Sequence, residues 1–152
     1  MLQRIQTVYL LIITILMMIT LFMPLSIIQK GDLIYAFDVM GLATVNESAE
    51  QLYPTWGLFA LTSVIALLAL ITIFLFKKRM LQIRLCVFNA ILMIGFYALS
   101  AFYLVNLKVD LEAVLMVKIA LSFPLVSLIL NYLAIRSIGA DEMLVRSLDR
   151  LR

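Results

Sequence analysis

The segment Ala60–Tyr103 decides the fold, and it reads ALTSVIALLALITIFLFKKRMLQIRLCVFNAILMIGFYALSAFY. Two long apolar runs flank the basic sequence KKRMLQIR at residues 77–84. Each run is long enough for a helix to cross the roughly 30 Å hydrocarbon layer of a bilayer. A short basic loop between two spans is typical of the cytoplasmic side of a membrane protein. The segment therefore predicts two transmembrane helices joined on the cytoplasmic side.

Composition extends this prediction to the whole chain. Of the 152 residues, 65% are hydrophobic and 14% are charged, whereas soluble domains carry about half apolar and about a quarter charged residues. The net charge of +3 does not indicate nucleic-acid binding, because the basic residues stand at helix ends and the aromatic residues lie within the apolar runs. We therefore expect a membrane domain surrounded by lipid, with no nucleic-acid partner.

The apolar runs predict four spans, at about residues 5–24, 55–76, 85–105 and 113–136. Residues 25–54 then form an outer loop, and residues 137–152 form a cytoplasmic tail. The fourth span contains Pro124, which lacks a backbone donor and should kink the helix. We expect an all-α membrane protein, in which residues 1–152 form a single four-transmembrane-helix bundle.

The outer loop and the tail carry weaker signals. Between Leu33 and Val39 the side chains follow the period of two that is typical of a half-buried strand, and residues 43–45 are a possible partner strand. A small outer hairpin is therefore expected. Asp141 is a good N-cap, so residues 141–152 predict a separate amphipathic helix. That helix either lies on the inner leaflet or docks into a cytoplasmic partner.

The charge distribution predicts the orientation of the chain. The segments on the predicted inner side hold nine of the twelve basic residues, namely Arg4, Lys77, Lys78, Arg79, Arg84, Arg136, Arg146, Arg150 and Arg152. Basic residues accumulate in the cytoplasmic loops of membrane proteins. We therefore expect both termini to be cytoplasmic.

Chemistry-bearing residues are few. The sequence has no histidine, which is the usual general base and a common metal ligand. We therefore expect no catalytic site, no cofactor and no metal, and we interpret the protein as a non-enzyme. A membrane enzyme would need Asp32, Asp38, Glu47 and Glu50 of the outer loop to act together, and their spacing matches no known pattern.

Four polar residues are predicted to form a layer about 7 Å inside the inner interface, at about 1.5 Å of helix rise per residue. They are Tyr9, Thr72, Asn89 and Asn131. On the fourth span, Asn131 shares one face with Ala120, Pro124 and Ser127, and this face should point inward. Such amides and hydroxyls usually pair between helices. The alternative is a pocket for a lipid or quinone headgroup.

The two ends of the sequence resemble those of a known family. Residues 3–10 read QRIQTVYL and residues 141–152 read DEMLVRSLDRLR. In these motifs the chain resembles the DUF4293 family, small four-span inner-membrane proteins of one group of Gram-negative bacteria. The resemblance implies a multi-pass protein of the bacterial inner membrane. Because the function of that family is unknown, the resemblance implies no catalytic residues.

Two functional hypotheses follow from these observations. The first is a non-enzymatic accessory or scaffold subunit of an inner-membrane assembly, which contacts a membrane protein partner or a second copy of itself. The basic residues expected to face that partner or lipid are Lys77, Lys78, Arg79, Arg84, Arg146, Arg150 and Arg152. The alternative is a small lipid-, quinone- or solute-handling protein that uses the polar layer.

Overall fold

The computed structural model describes residues 2–45 and 51–152. In this part of the chain the long helices are α1 (Leu2–Phe22), α2 (Trp56–Phe74), α3 (Arg79–Leu111) and α4 (Phe123–Arg150). The strands are β1 (Ser26–Lys30), β2 (Leu33–Phe37), β3 (Gly41–Thr44), β4 (Gln51–Pro54) and β5 (Val114–Val117). A short 3₁₀ helix, Ile119–Ser122, connects β5 to α4.

The helices form an antiparallel bundle in which each packs on the next and α4 closes the ring against α1. All four are long and apolar enough to cross a membrane. The start of α1, the α2–α3 turn and the end of α4 meet at one end of the bundle, which we call the basic end. The strands lie at the opposite end, which we call the sheet end.

The strands form one antiparallel sheet in the order β4-β3-β2-β1-β5. Ile28, Tyr35, Phe37 and Leu42 on one face of the sheet are buried in the same hydrophobic core as the helices. The prediction of an all-α fold is therefore wrong. The predicted hairpin corresponds to β2 and β3, which pair with each other, but the sheet extends on both sides of that hairpin.

Strand β5 explains why the fourth helix was predicted to begin too early. Its sequence VLMV is apolar and continuous with the following helix, and a short apolar run does not distinguish strand from helix. In the structure it pairs with β1, with Ile28 opposite Leu115, so that α4 begins only at Phe123. Pro124 therefore lies in the first turn of α4, where its missing N–H costs nothing, and not within a kinked span.

The predicted separate tail helix is also absent, because α4 continues without a break to Arg150. Asp141 does not cap a new helix. Its carboxylate instead accepts a hydrogen bond from Gln6 of α1, 2.6 Å away. Glycine within a helix costs only about 1 kcal/mol relative to alanine, so Gly139 does not end α4 when contacts on both sides hold the helix together.

The sheet and the bundle are joined where α2 begins. The buried Thr55 hydroxyl donates to the Val39 carbonyl, 2.9 Å away, and the Thr55 N–H donates to the Met40 carbonyl at 3.3 Å. These bonds fix the β2–β3 turn on the first turn of α2. Burial raises the pKa of Asp38, which begins this turn, above its ordinary value.

Candidate functional site

A cavity of about 720 Å³ opens at the basic end, between the α2–α3 turn and α4. Its basic lining residues are Lys77, Lys78, Arg79 and Arg84. Apolar side chains of the same cavity are Phe76, Met80, Leu81 and Val145, and its acidic residue is Glu142. We call this the basic cavity. Four of the seven basic residues predicted to face a partner or lipid thus converge on one site.

The tight turn between α2 and α3 places these charges together. The Leu75 N–H donates to the Thr72 carbonyl at 3.3 Å, and the Lys78 N–H donates to the Leu75 carbonyl at 2.9 Å. Helix α3 then begins directly at Arg79, with no acidic residue in its first turn. Because the first N–H groups of a helix lack intrahelical acceptors, the start of α3 adds a partial positive charge to the cavity.

A buried contact connects the basic cavity to the centre of the bundle. Gln6 and Asp141, which are only 4% and 6% exposed, form the hydrogen bond that joins α1 to α4. Arg79 donates through Nη1 to the Asp141 carbonyl, 3.3 Å away. This contact was not among the predicted site residues. The signal was present, since Asp141 continues the helical spacing of the buried Asn131, and Gln6 lies in the first turns of α1.

The other three basic candidates lie on residues 142–152, which from here on we call the tail and whose Glu142 and Val145 also line the basic cavity. Arg146 pairs with Glu142, with an Nε to Oε1 distance of 3.1 Å, while Arg150 and Arg152 are exposed. The tail also exposes large apolar side chains, at 55% for Leu144, 64% for Leu148 and 85% for Leu151. The structure therefore separates the predicted basic surface into the basic cavity and a projecting tail.

The residues of the predicted polar layer have different surroundings. Asn131 donates through Nδ2 to the Cys86 carbonyl at 2.8 Å, which joins α4 to α3, and Asn89 is buried one turn from Cys86. The Thr72 hydroxyl bonds to the Leu68 carbonyl of its own helix. Tyr9 is half-buried. The structure thus places Asn131 at the α3–α4 contact and buries Asn89 on the same stripe of α3 as Cys86.

The predicted inward face of the fourth span is confirmed. Ala120, Pro124, Ser127 and Asn131 are all buried. Within the described residues, three of the polar atoms here have no hydrogen-bond partner: Ser127 Oγ, Asn131 Oδ1 and Asn89 Oδ1. Because α3 and α4 are antiparallel and Asn131 contacts Cys86, Ser127 lies near the level of Asn89. The α3–α4 contact therefore contains unused hydrogen-bonding capacity.

The acidic residues of the outer loop show no common site in the described part of the chain. Asp32 is exposed in the β1–β2 turn and Asp38 is half-buried in the β2–β3 turn. Glu47 and Glu50 lie outside the described residues.

Comparison with known proteins assigns a family and no activity. The family model DUF4293, described as a domain of unknown function, matches residues 2–151, which is essentially the whole chain. No curated protein matches the chain.

Proposed function

The chain belongs to the DUF4293 family, and we propose that it is a non-enzymatic accessory or scaffold subunit of a membrane protein assembly. In this proposal it resides in the bacterial inner membrane with its basic end in the cytoplasm. Four apolar helices and the concentration of Lys and Arg at one end of the bundle support this arrangement. The tail is the surface that docks the partner.

The continuity of α4 carries the proposal. Since the helix does not break at Gly139, the tail continues along the direction of the bundle for about 14 Å beyond Asp141, at about 1.5 Å per residue. A helix in this direction cannot lie flat in the membrane interface as an amphipathic anchor does. Its exposed leucines therefore face water unless another protein covers them.

The pattern of the tail defines the chemistry of its partner. Leu144, Leu148 and Leu151 are spaced i, i+4, i+7 and form one apolar stripe. Arg150 and Arg152 add positive charge beside it, which Asp149 offsets in part, while Arg146 is paired with Glu142. An amphipathic helix of this kind fits an apolar groove on a partner, and its charge favours a groove with an acidic rim.

A paired substitution tests the tail as a docking surface. Leu144→Asp with Leu148→Asp places two charges on the stripe, and we expect roughly a 1,000-fold weaker association, because two buried anchors of an interface at about 2 kcal/mol each contribute about 4 kcal/mol. The measurement is mild-detergent extraction of the tagged protein followed by quantitative mass spectrometry. The quantity compared between the variants is the amount of an acidic protein that co-purifies stoichiometrically with the wild type.

The matched control is Met143→Asp with Ser147→Asp, which adds the same charges at the same spacing on a neighbouring, exposed face of the tail. This variant should retain the partner. The proposal is wrong if the leucine variant retains the partner, if both variants lose it equally, or if the wild type holds no stoichiometric protein.

The unpartnered oxygens between α3 and α4 favour a second candidate function, the handling of a small lipid, quinone or solute. A buried polar group without a partner costs about 1–3 kcal/mol. A ligand that donates hydrogen bonds to Asn89 and Asn131 would recover part of that cost. This candidate places the ligand inside the bundle, away from the tail.

Replacing both asparagines distinguishes a ligand site from structural pairing. If the site binds a ligand, Asn89→Leu with Asn131→Leu should remove a lipid or quinone species that co-purifies with the wild type, while the variant still folds despite losing the Asn131–Cys86 hydrogen bond. Thr62→Val is the control, because the buried Thr62 hydroxyl donates to the Leu58 carbonyl of its own helix. An unchanged set of bound small molecules, or a loss of stability alone, would contradict a ligand role.

A further inference from the structure

The basic cavity has an excess of positive charge that the rest of the described chain does not neutralise. It contains four Lys and Arg side chains and one carboxylate, that of Glu142. That carboxylate is already paired with Arg146 of the tail. Arg79 is directed towards a backbone carbonyl and not a carboxylate. The cavity therefore presents several cationic donors to an anion.

The first turn of α3 adds further positive electrostatic potential to the basic cavity. Lys78, Arg79, Met80 and Leu81 line the cavity, and they are the residues at which the helix begins. Lys78 stands at the N-cap and forms no side-chain capping bond, because an ammonium group has no acceptor for a backbone N–H. Backbone donors at a helix start and nearby Lys or Arg side chains are the usual elements of a phosphate site.

The same cavity has an apolar side. Phe76, Met80 and Leu81 line it and are between 42% and 48% exposed. They lie where the apolar helix α2 ends and α3 begins, at the boundary between the membrane-spanning length of the bundle and water. A free phosphate ion uses only the charged side of such a cavity, whereas a phospholipid uses both sides.

We propose that the basic cavity binds the phosphate group of an anionic phospholipid, whose acyl chains follow the apolar side chains of the α2–α3 turn. Basic pockets at the ends of membrane helices recognise anionic headgroups in this way. The site uses residues other than the apolar stripe of the tail, so it does not depend on the proposed protein partner.

The test compares two charge-matched variants of the full-length protein in nanodiscs of phosphatidylcholine with added phosphatidylglycerol. Lys78→Gln with Arg84→Gln removes two cations from the cavity. Lys30→Gln with Lys108→Gln removes two exposed cations from the sheet end. Native mass spectrometry after release from the discs measures the retained phosphatidylglycerol, and circular dichroism checks that each variant is folded.

We expect the wild type to retain phosphatidylglycerol in preference to phosphatidylcholine. Binding should fall about 30-fold in the cavity variant, as two charges near a membrane surface each contribute about 1 kcal/mol, and should be unchanged in the sheet-end variant. Millimolar inorganic phosphate should not displace the lipid. Equal losses in both variants, no preference for the anionic lipid, or displacement by inorganic phosphate would each overturn the proposal.

Discussion

Gln6→Leu is expected to destabilise the bundle by at least about 2 kcal/mol, since a hydrogen bond to a charged group contributes about 1.5–3 kcal/mol and a buried acceptor left without a donor costs more. The amide of Gln6 donates to the Asp141 carboxylate at 2.6 Å. Both side chains are almost fully buried, so water cannot readily replace the lost donor. The free energy of unfolding, measured by SDS titration in mixed micelles, should fall accordingly.

The control removes the acceptor together with the donor. In Gln6→Leu with Asp141→Leu, two apolar side chains face each other, and replacing both partners of a buried hydrogen bond can be nearly neutral. The double variant should therefore be more stable than Gln6→Leu alone. If it is less stable than either single variant, the Gln6–Asp141 contact does not have the energetic role that its geometry indicates.

The four long apolar helices of this fold were largely predictable, because long apolar runs and clustered basic residues have few other interpretations. Four helices of sufficient length and hydrophobicity are present. The sheet was only partly predictable. Its central hairpin has a local period-two signal, but β5 is separated from β1 by most of the chain, and such pairing leaves no trace in the local pattern.

The local signals failed where a long-range contact outweighed them. Asp141 has the chemistry of an N-cap, and Gly139 is a good position for a helix to end. In the structure both residues lie inside α4, because the Asp141 carboxylate accepts a hydrogen bond from Gln6 of another helix. A prediction from one sequence weighs each residue against its neighbours along the chain and cannot include that bond.

The candidate site was likewise predictable where the signal is local and not where it depends on which helices are neighbours. The clustering of Lys77, Lys78, Arg79 and Arg84 was visible as a basic run, and the tight turn makes it a cavity. The polar layer was predicted from depth alone. Depth places residues at one level of the membrane but does not say which helices are neighbours. For this reason Asn131 forms a hydrogen bond between helices, whereas the Thr72 hydroxyl bonds within its own helix.

Gly41→Ala should have the largest effect in the sheet. Gly41 pairs with Pro54 of β4, and a Cβ atom at Gly41 would lie 2.7 Å from the Tyr53 carbonyl oxygen. Because the obstacle is backbone, a side-chain rotation cannot relieve the overlap, and strand β4 must move. Overpacking in a well-packed region costs about 1–3 kcal/mol and occasionally more, and we expect the upper end of this range.

Gly31→Ala separates the steric cost from the loss of a glycine. Gly31 begins the two-residue β1–β2 turn with a φ of +59°, and a Cβ atom there would have nothing within 4 Å. Gly31→Ala should therefore lower the free energy of unfolding by only about 1–2 kcal/mol, which is the cost of a left-handed conformation for a residue with a Cβ atom. Hydrogen exchange of the β3 and β4 amides should therefore accelerate far more in Gly41→Ala than in Gly31→Ala, while exchange in the helices stays unchanged in both. Equal acceleration would mean that the close approach of Gly41 to Tyr53 does not hold β4 in the sheet.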